Sequence, residues 1–159
     1  MTKANRIVHV VALADWAVLR KIILDLAKHA TPSGMESHIL VLSSSDQANL
    51  PKDNSSQCQY LALPAGWLQA IGVLRKWFQG NHVGLLHIHD VRYLSIATWA
   101  AWSAMRPSIV TLHSAFEHKG PSFVWCRHRK IIFAWQYVKD AVLKGNKIPL
   151  NKMAVYFDG

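Results

Sequence analysis

Three histidines and an aspartate stand out for the chemistry they can do. His87, His89 and Asp90 close the run Val83-Gly-Leu-Leu-His-Ile-His89, and His113 closes Pro107-Ser-Ile-Val-Thr-Leu-His113. Imidazole can donate or accept a hydrogen bond near neutral pH, which suits it to holding a polar substrate. His87 and His89 are two apart, so on a regular strand they share a face and Ile88 takes the other. His89 and Asp90, nearer the strand end, are the candidates for a ligand cleft, whereas His87 is expected to be buried and structural. Asp15 and Trp16, just after the apolar run of residues 6–13, form a second candidate pair. His87, His89, His113 and His118 also invite a zinc reading. The nearest carboxylate, Glu117, sits beside His118, however, and neither Cys58 nor Cys126 falls at a ligand spacing, so no metal is expected.

These side chains need a scaffold that gathers distant strand ends. Residues 6–13 (RIVHVVAL) are apolar on both alternations, the mark of a strand buried on two faces. Asp15 can cap the helix that follows. Val18, Leu19, Ile22, Ile23, Leu26 and Ala30 recur in it at helical spacing, and Pro32-Ser33-Gly34 stops it. Further strands are predicted at 37–43, 58–63, 83–89, 107–113, 130–134 and 152–156. Helices are predicted at 67–79, 92–105 and 136–144, with a helical turn near 123–129 and polar loops at 44–57 and 114–122. Leu68, Ile71, Leu74 and Phe78 give the 67–79 helix its apolar side. Strand and helix alternate throughout residues 1–159, which predicts one α/β domain, a Rossmann-like, doubly wound, mostly parallel sheet with helices on both faces. Ligands sit at the carboxyl ends of such strands, where His89, Asp90, His113 and the segment Ala14-Asp15-Trp16-Ala17 lie.

Composition narrows the function. The 159 residues are 51% hydrophobic and 17% charged, enough for a full core and contrary to disorder. A net charge of +9 says the protein tolerates or seeks anions such as phosphorylated substrates or an anionic membrane face. No apolar run approaches the roughly 18–20 residues of a membrane span, and residues 1–6 do not lead into a secretory signal, so a reduced, cytoplasmic protein is expected. The absence of G-x-G-x-x-G after the first strand, and of any Walker A sequence, argues against dinucleotide oxidoreductases and P-loop enzymes. Two stretches mix aromatic and basic residues: 67–78, with Arg75, Lys76 and Trp77, and 123–130, with Trp125, Arg127, His128 and Arg129. They read either as a face for anionic lipid or as amphipathic helices with one side in the core. Trp99 and Trp102 are expected in helix–sheet packing or in a patch for another domain. The scattered basic residues and the lack of a binding motif argue against nucleic acid.

The order of these segments resembles the N-terminal half of a GT-B glycosyltransferase of the retaining family 4 type. The resemblance is carried by a first strand containing a His, the helix segment Lys21-Ile-Ile-Leu-Asp-Leu-Ala27, the strand His38-Ile-Leu-Val-Leu42, and then Leu85-Leu-His-Ile-His-Asp90 and Ile109-Val-Thr-Leu-His113. It continues through Ile131-Ile-Phe-Ala134, Tyr137-Val-Lys-Asp-Ala-Val-Leu143 and Lys152-Met-Ala-Val-Tyr-Phe-Asp-Gly159. It implies an acceptor-side domain of an enzyme that moves a sugar from a nucleotide-sugar donor to a glycan or lipid-linked acceptor in surface polysaccharide synthesis. It implies no cofactor and no metal. His113 would hold the donor sugar, Asp15 and Trp16 would meet donor or acceptor, and His89 and Asp90 would shape the acceptor pocket. The family's second domain, with its nucleotide site and carboxylates, lies outside these residues, so the chain alone is expected to be inactive. The family's Gly-Gly pair is replaced by Ala14-Asp15-Trp16-Ala17, and Asp158-Gly159 stands where the family has Asn-Gly. The alternative is a non-catalytic membrane-docking or acceptor-binding subunit of a separate donor-binding chain.

Overall fold

The computed structural model describes residues 6–30, 34–44, 57–89, 91–114 and 122–157. Seven strands form one parallel sheet: β1 (Arg6–Ala12), β2 (Glu36–Ser44), β3 (Cys58–Leu63), β4 (Val83–Ile88), β5 (Ser108–Leu112), β6 (Lys130–Trp135) and β7 (Met153–Phe157). Their order, β3-β2-β1-β4-β5-β6-β7, reverses direction between β1 and β4. That reversal opens the crevice where doubly wound folds bind ligands. The helices are α1 (Leu13–Ala30), α2 (Trp67–Gly80), α3 (Leu94–Ser103), α4 (Ser122–Arg127) and α5 (Gln136–Leu143).

The two faces of the sheet are covered differently. Val8, Val10, Leu40, Leu42 and Leu86 point to one side, where Ala70, Leu74 and Phe78 of α2 and Ala100 and Ala101 of α3 cover them. Farther along the same face, Ile88, Val110, Leu112, Ile131 and Phe133 pack against Leu94 and Ala97 of α3, Val124 and Trp125 of α4, and Val138 and Val142 of α5. The opposite face carries Val11, Ile39 and Val41, which meet Trp16, Leu19 and Ile23 of α1. Central strands buried on both faces explain the unbroken Val/Ile/Leu runs of β1 and β2.

Several expectations need correction. Leu68 is 75% exposed, because the buried stripe of α2 runs Ala70, Leu74, Phe78. Val18 and Ile22 are exposed, since α1 buries Trp16, Leu19 and Ile23 instead. Trp125 and His128 belong to the interior, not to a surface stretch. The indole Nε1–H of Trp125 donates to Asn146 Oδ1 at 3.1 Å. His128 lies 2.9 Å from Ser108 Oγ through Nδ1 and 3.2 Å from Thr98 Oγ1 through Nε2. Thr98 donates its own proton to the Leu94 carbonyl at 2.6 Å, so it accepts from His128 Nε2–H, and His128 Nδ1 accepts from Ser108. Both ring nitrogens are thus satisfied in the interior, as a structural histidine requires.

Candidate functional site

The carboxyl edge of β1, β4 and β5 carries a chain of imidazoles. Register pairs His9 of β1 with His87 of β4, so both rings project from the same face. His89 extends the ladder beyond β4 through its backbone N–H, which donates to the Val10 carbonyl at 2.9 Å. His113 follows β5. The rings are close: His87 and His89 have centroids 4.0 Å apart, and His89 stacks on His113 at 5.4 Å. His9 Nδ1 lies 3.0 Å from His89 Nε2, and His89 Nδ1 lies 3.0 Å from His113 Nε2. His87 Nε2 is 2.7 Å from Thr111 Oγ1, which anchors it to β5.

Burial keeps this cluster neutral, because an imidazolium removed from water loses its hydration. It pushes His9 down to about 4, His87 down to about 3 and His89 well below the usual histidine value. His87 and His89 are lowered further by neighbouring imidazoles, since two positive rings so close would repel. His113, half-buried at the strand end, is lowered by burial too.

One ligand nitrogen each from His9, His87 and His89 lies within 4.8 Å of the others. Zinc held at about 2.0–2.1 Å by tetrahedral nitrogens sets them roughly 3.4 Å apart, a tighter set than this. The same rings already spend nitrogens on His89, Thr111 and His113, so the cluster fits a hydrogen-bonded chain better than a metal centre. His118 and Glu117, which entered the zinc reading of the sequence, lie outside the described residues.

The other site candidates are placed as follows. His113 sits at the mouth, as its position after β5 dictates. His89 is only 4% exposed, with both ring nitrogens engaged by histidines, so it supports His113 from below and does not face an open pocket. Trp16 packs into the core beneath α1 and is blocked from meeting a ligand. It was expected in a loop, but α1 begins at Leu13, directly after β1. Asp15 therefore stands in the first helical turn, where the helix dipole favours its charge. It pairs at 3.2 Å with Arg92, from the segment between β4 and α3, so this ion pair bridges the two sides of the crevice. Asp90 lies outside the described residues. Sequence reasoning assigned no role to His9, Thr111 or Arg92. A lone histidine inside a strand buried on both faces was the signal at hand, since such a ring needs a partner.

Beyond the crevice, α2, α3 and α4 build an aromatic surface. Trp99 stacks on Phe123 with centroids 4.6 Å apart, and Trp67 and Trp102 meet Trp99 edge-on at 6.2 Å and 5.2 Å. The Arg127 guanidinium lies 4.7 Å from the Trp102 ring centre and 4.5 Å from that of Phe123. Trp67 and Trp102 are each 46% exposed.

The model of Glycosyltransferase Family 4 matches residues 20–155. The chain belongs to this family. The fold is that of the N-terminal half of GT-B enzymes. It is similar to the lipopolysaccharide outer core galactosyltransferase WaaB in its apo form (TM-score 0.68, 10% identity, 94% of this chain and 44% of that one). It is similar also to MurG of Acinetobacter baumannii (TM-score 0.67, 13% identity, 97% and 45%). A third similar structure is Anabaena HepE in complex with UDP and glucose (TM-score 0.67, 13% identity, 97% and 44%). The family 4 chain thus spans less than half the length of each. No curated protein sequence matches it. Among the described residues no helix is long and apolar enough to cross a membrane.

Proposed function

We propose that this chain is the acceptor-side half of a retaining glycosyltransferase that moves a sugar from a nucleotide donor to a glycan or lipid-linked acceptor of a surface polysaccharide. The observation that carries the reading is the half-buried His113 at the carboxyl end of β5, beside the strand-order reversal of a family 4 domain. In the reaction the anomeric carbon exchanges its bond to the diphosphate oxygen for one to an acceptor hydroxyl oxygen. The catalytic task is to hold donor and acceptor in line and to stabilise the leaving diphosphate. His113 contacts the donor sugar. Asp15 and Arg92, with Asp90 beside them in sequence, form the acceptor side of the crevice. A second domain supplies the nucleotide and diphosphate contacts, and no metal takes part. The likeness to a lipopolysaccharide galactosyltransferase and to a complex with UDP and glucose supports this donor and acceptor class.

Because the donor contacts come from the second domain, the purified chain should transfer no sugar from UDP- or GDP-linked donors. Transfer should appear when a family 4 donor-binding half is added in trans or by fusion. Robust turnover by the chain alone would refute the half-enzyme reading.

The reading includes peripheral attachment to the cytoplasmic face of a membrane. The exposed Trp67 and Trp102 beside Arg127 support it, because tryptophan favours the membrane interface and each basic side chain near an anionic surface adds about 1 kcal/mol. The chain should sediment with anionic liposomes and be released as salt shortens the Debye length to about 8 Å at 0.15 M. Trp102→Ala should weaken sedimentation. Equal, salt-independent binding to neutral vesicles would count against a docking face and also against the non-catalytic docking subunit.

A further inference from the structure

The imidazole chain has a direction. Each ring is neutral and carries one N–H, and each N···N contact needs one proton. Two arrangements satisfy both 3.0 Å contacts. In the outward one, His9 Nδ1–H donates to His89 Nε2 and His89 Nδ1–H donates to His113 Nε2. That leaves a proton on His113 Nδ1 at the mouth and a bare lone pair on His9 Nε2. In the inward one every bond reverses, and His9 Nε2 keeps its proton.

The inner end decides between them. His9 Nε2 is buried and has no hydrogen-bond partner among the described residues. An orphaned N–H in the interior is rarer and costlier than an under-used acceptor. His87 offers no escape for that proton, since its Nε2 is engaged with Thr111 Oγ1. The outward arrangement is favoured.

The geometry points to His9 and His89 as positioning residues that fix His113 as its Nδ1–H tautomer, so that the site presents a hydrogen-bond donor to an oxygen lone pair of the ligand. This deepens the reading of His113 as a sugar contact and rests on it for the identity of the ligand. It gives the ligand atom a class: a hydroxyl or phosphate oxygen acting as acceptor. It also removes one role, because a protonated Nδ1 cannot take a proton from the acceptor alcohol.

The test is a long-range proton–nitrogen correlation spectrum of the ¹⁵N-labelled chain near pH 7.5, which reads the tautomer of each ring directly. His9, His89 and His113 should all appear as Nδ1–H forms, with a roughly tenfold or greater excess at His113. An Nε2–H form or an even mixture at His113 would overturn the proposal. His9→Leu removes the first donor and should move His113 towards a mixture. His9→Asn, whose amide N–H₂ can stand where Nδ1 stood, should restore the bias. A His113 tautomer unchanged in His9→Leu would overturn the relay. If His9→Leu fails to fold, the wild-type spectrum alone decides the direction. Transfer that survives His113→Ala would refute the functional reading and leave the tautomer result standing.

Discussion

The chain is expected to lose several kcal/mol of stability between pH 7 and pH 5. Burial holds His9 and His128 at about 4 and His87 at about 3, with His89 also well below its ordinary value. In the unfolded chain these rings titrate near 6.5. Between the folded values and 6.5 the unfolded state binds more protons, so stability rises with pH across that window. It is fully present above about 6.5 and drains away as the pH falls towards 4. Each such imidazole costs about 1.4 kcal/mol per pH unit, so His9, His87 and His128 together cost about 4 kcal/mol at pH 5.5. Domains of this kind are stable by only about 5–15 kcal/mol. Urea melts from pH 7.5 to 5 should show midpoints falling steeply below pH 6.5, with about three or more protons taken up per unfolding event near pH 5. Midpoints flat down to pH 5 would show that these rings are hydrated.

Much of this architecture is legible in the sequence. The β-branched, two-faced apolar runs place all seven strands to within one or two residues, because central parallel strands have no polar side to conceal. Their alternation with helices predicts the doubly wound sheet. The junction after β1 misleads, because no Gly or Pro separates Ala12 from the helix, and a predicted loop becomes the first turn of α1. The stripe 16, 19, 23 was the signal that Trp16 is buried, and the apolar residues Val18 and Ile22 beside it hid that signal. Similarly, residues 70, 74 and 78 follow one helical stripe that leaves Leu68 outside.

The imidazole cluster is legible only in part. Its members at the ends of β4 and β5 announce a site, since ligands collect at that edge. Their coupling depends on the register that sets His9 opposite His87, and register is a long-range property that spacing within one strand does not reveal. Thr111 and Arg92 are missed for the same reason: each matters through a partner on another element.

Under the proposed function, His113 acts on substrate while the histidines behind it act on structure. Ser108 to Leu112 form an apolar, largely buried strand without help from the side chain that follows. His113→Ala should therefore cost no more than about 1 kcal/mol, the worth of one partly exposed hydrogen bond. His87 is 7% exposed and bonded to Thr111, so His87→Ala leaves a cavity and an orphaned hydroxyl and should cost about 2–4 kcal/mol. Catalysis should divide the other way. Without the His113 imidazole to hold the donor sugar in place, turnover should fall about tenfold or more. The decisive measurement is sugar transfer by the chain joined to a donor-binding half, with His113→Ala and His87→Ala compared alongside their thermal melts. The expected result is a His113→Ala enzyme that melts normally and transfers sugar at least about tenfold more slowly, with His87→Ala melting lower but keeping its rate at temperatures where it is folded. A His113→Ala enzyme that melts several degrees lower and transfers sugar at the normal rate would contradict the assignment of His113 to the substrate.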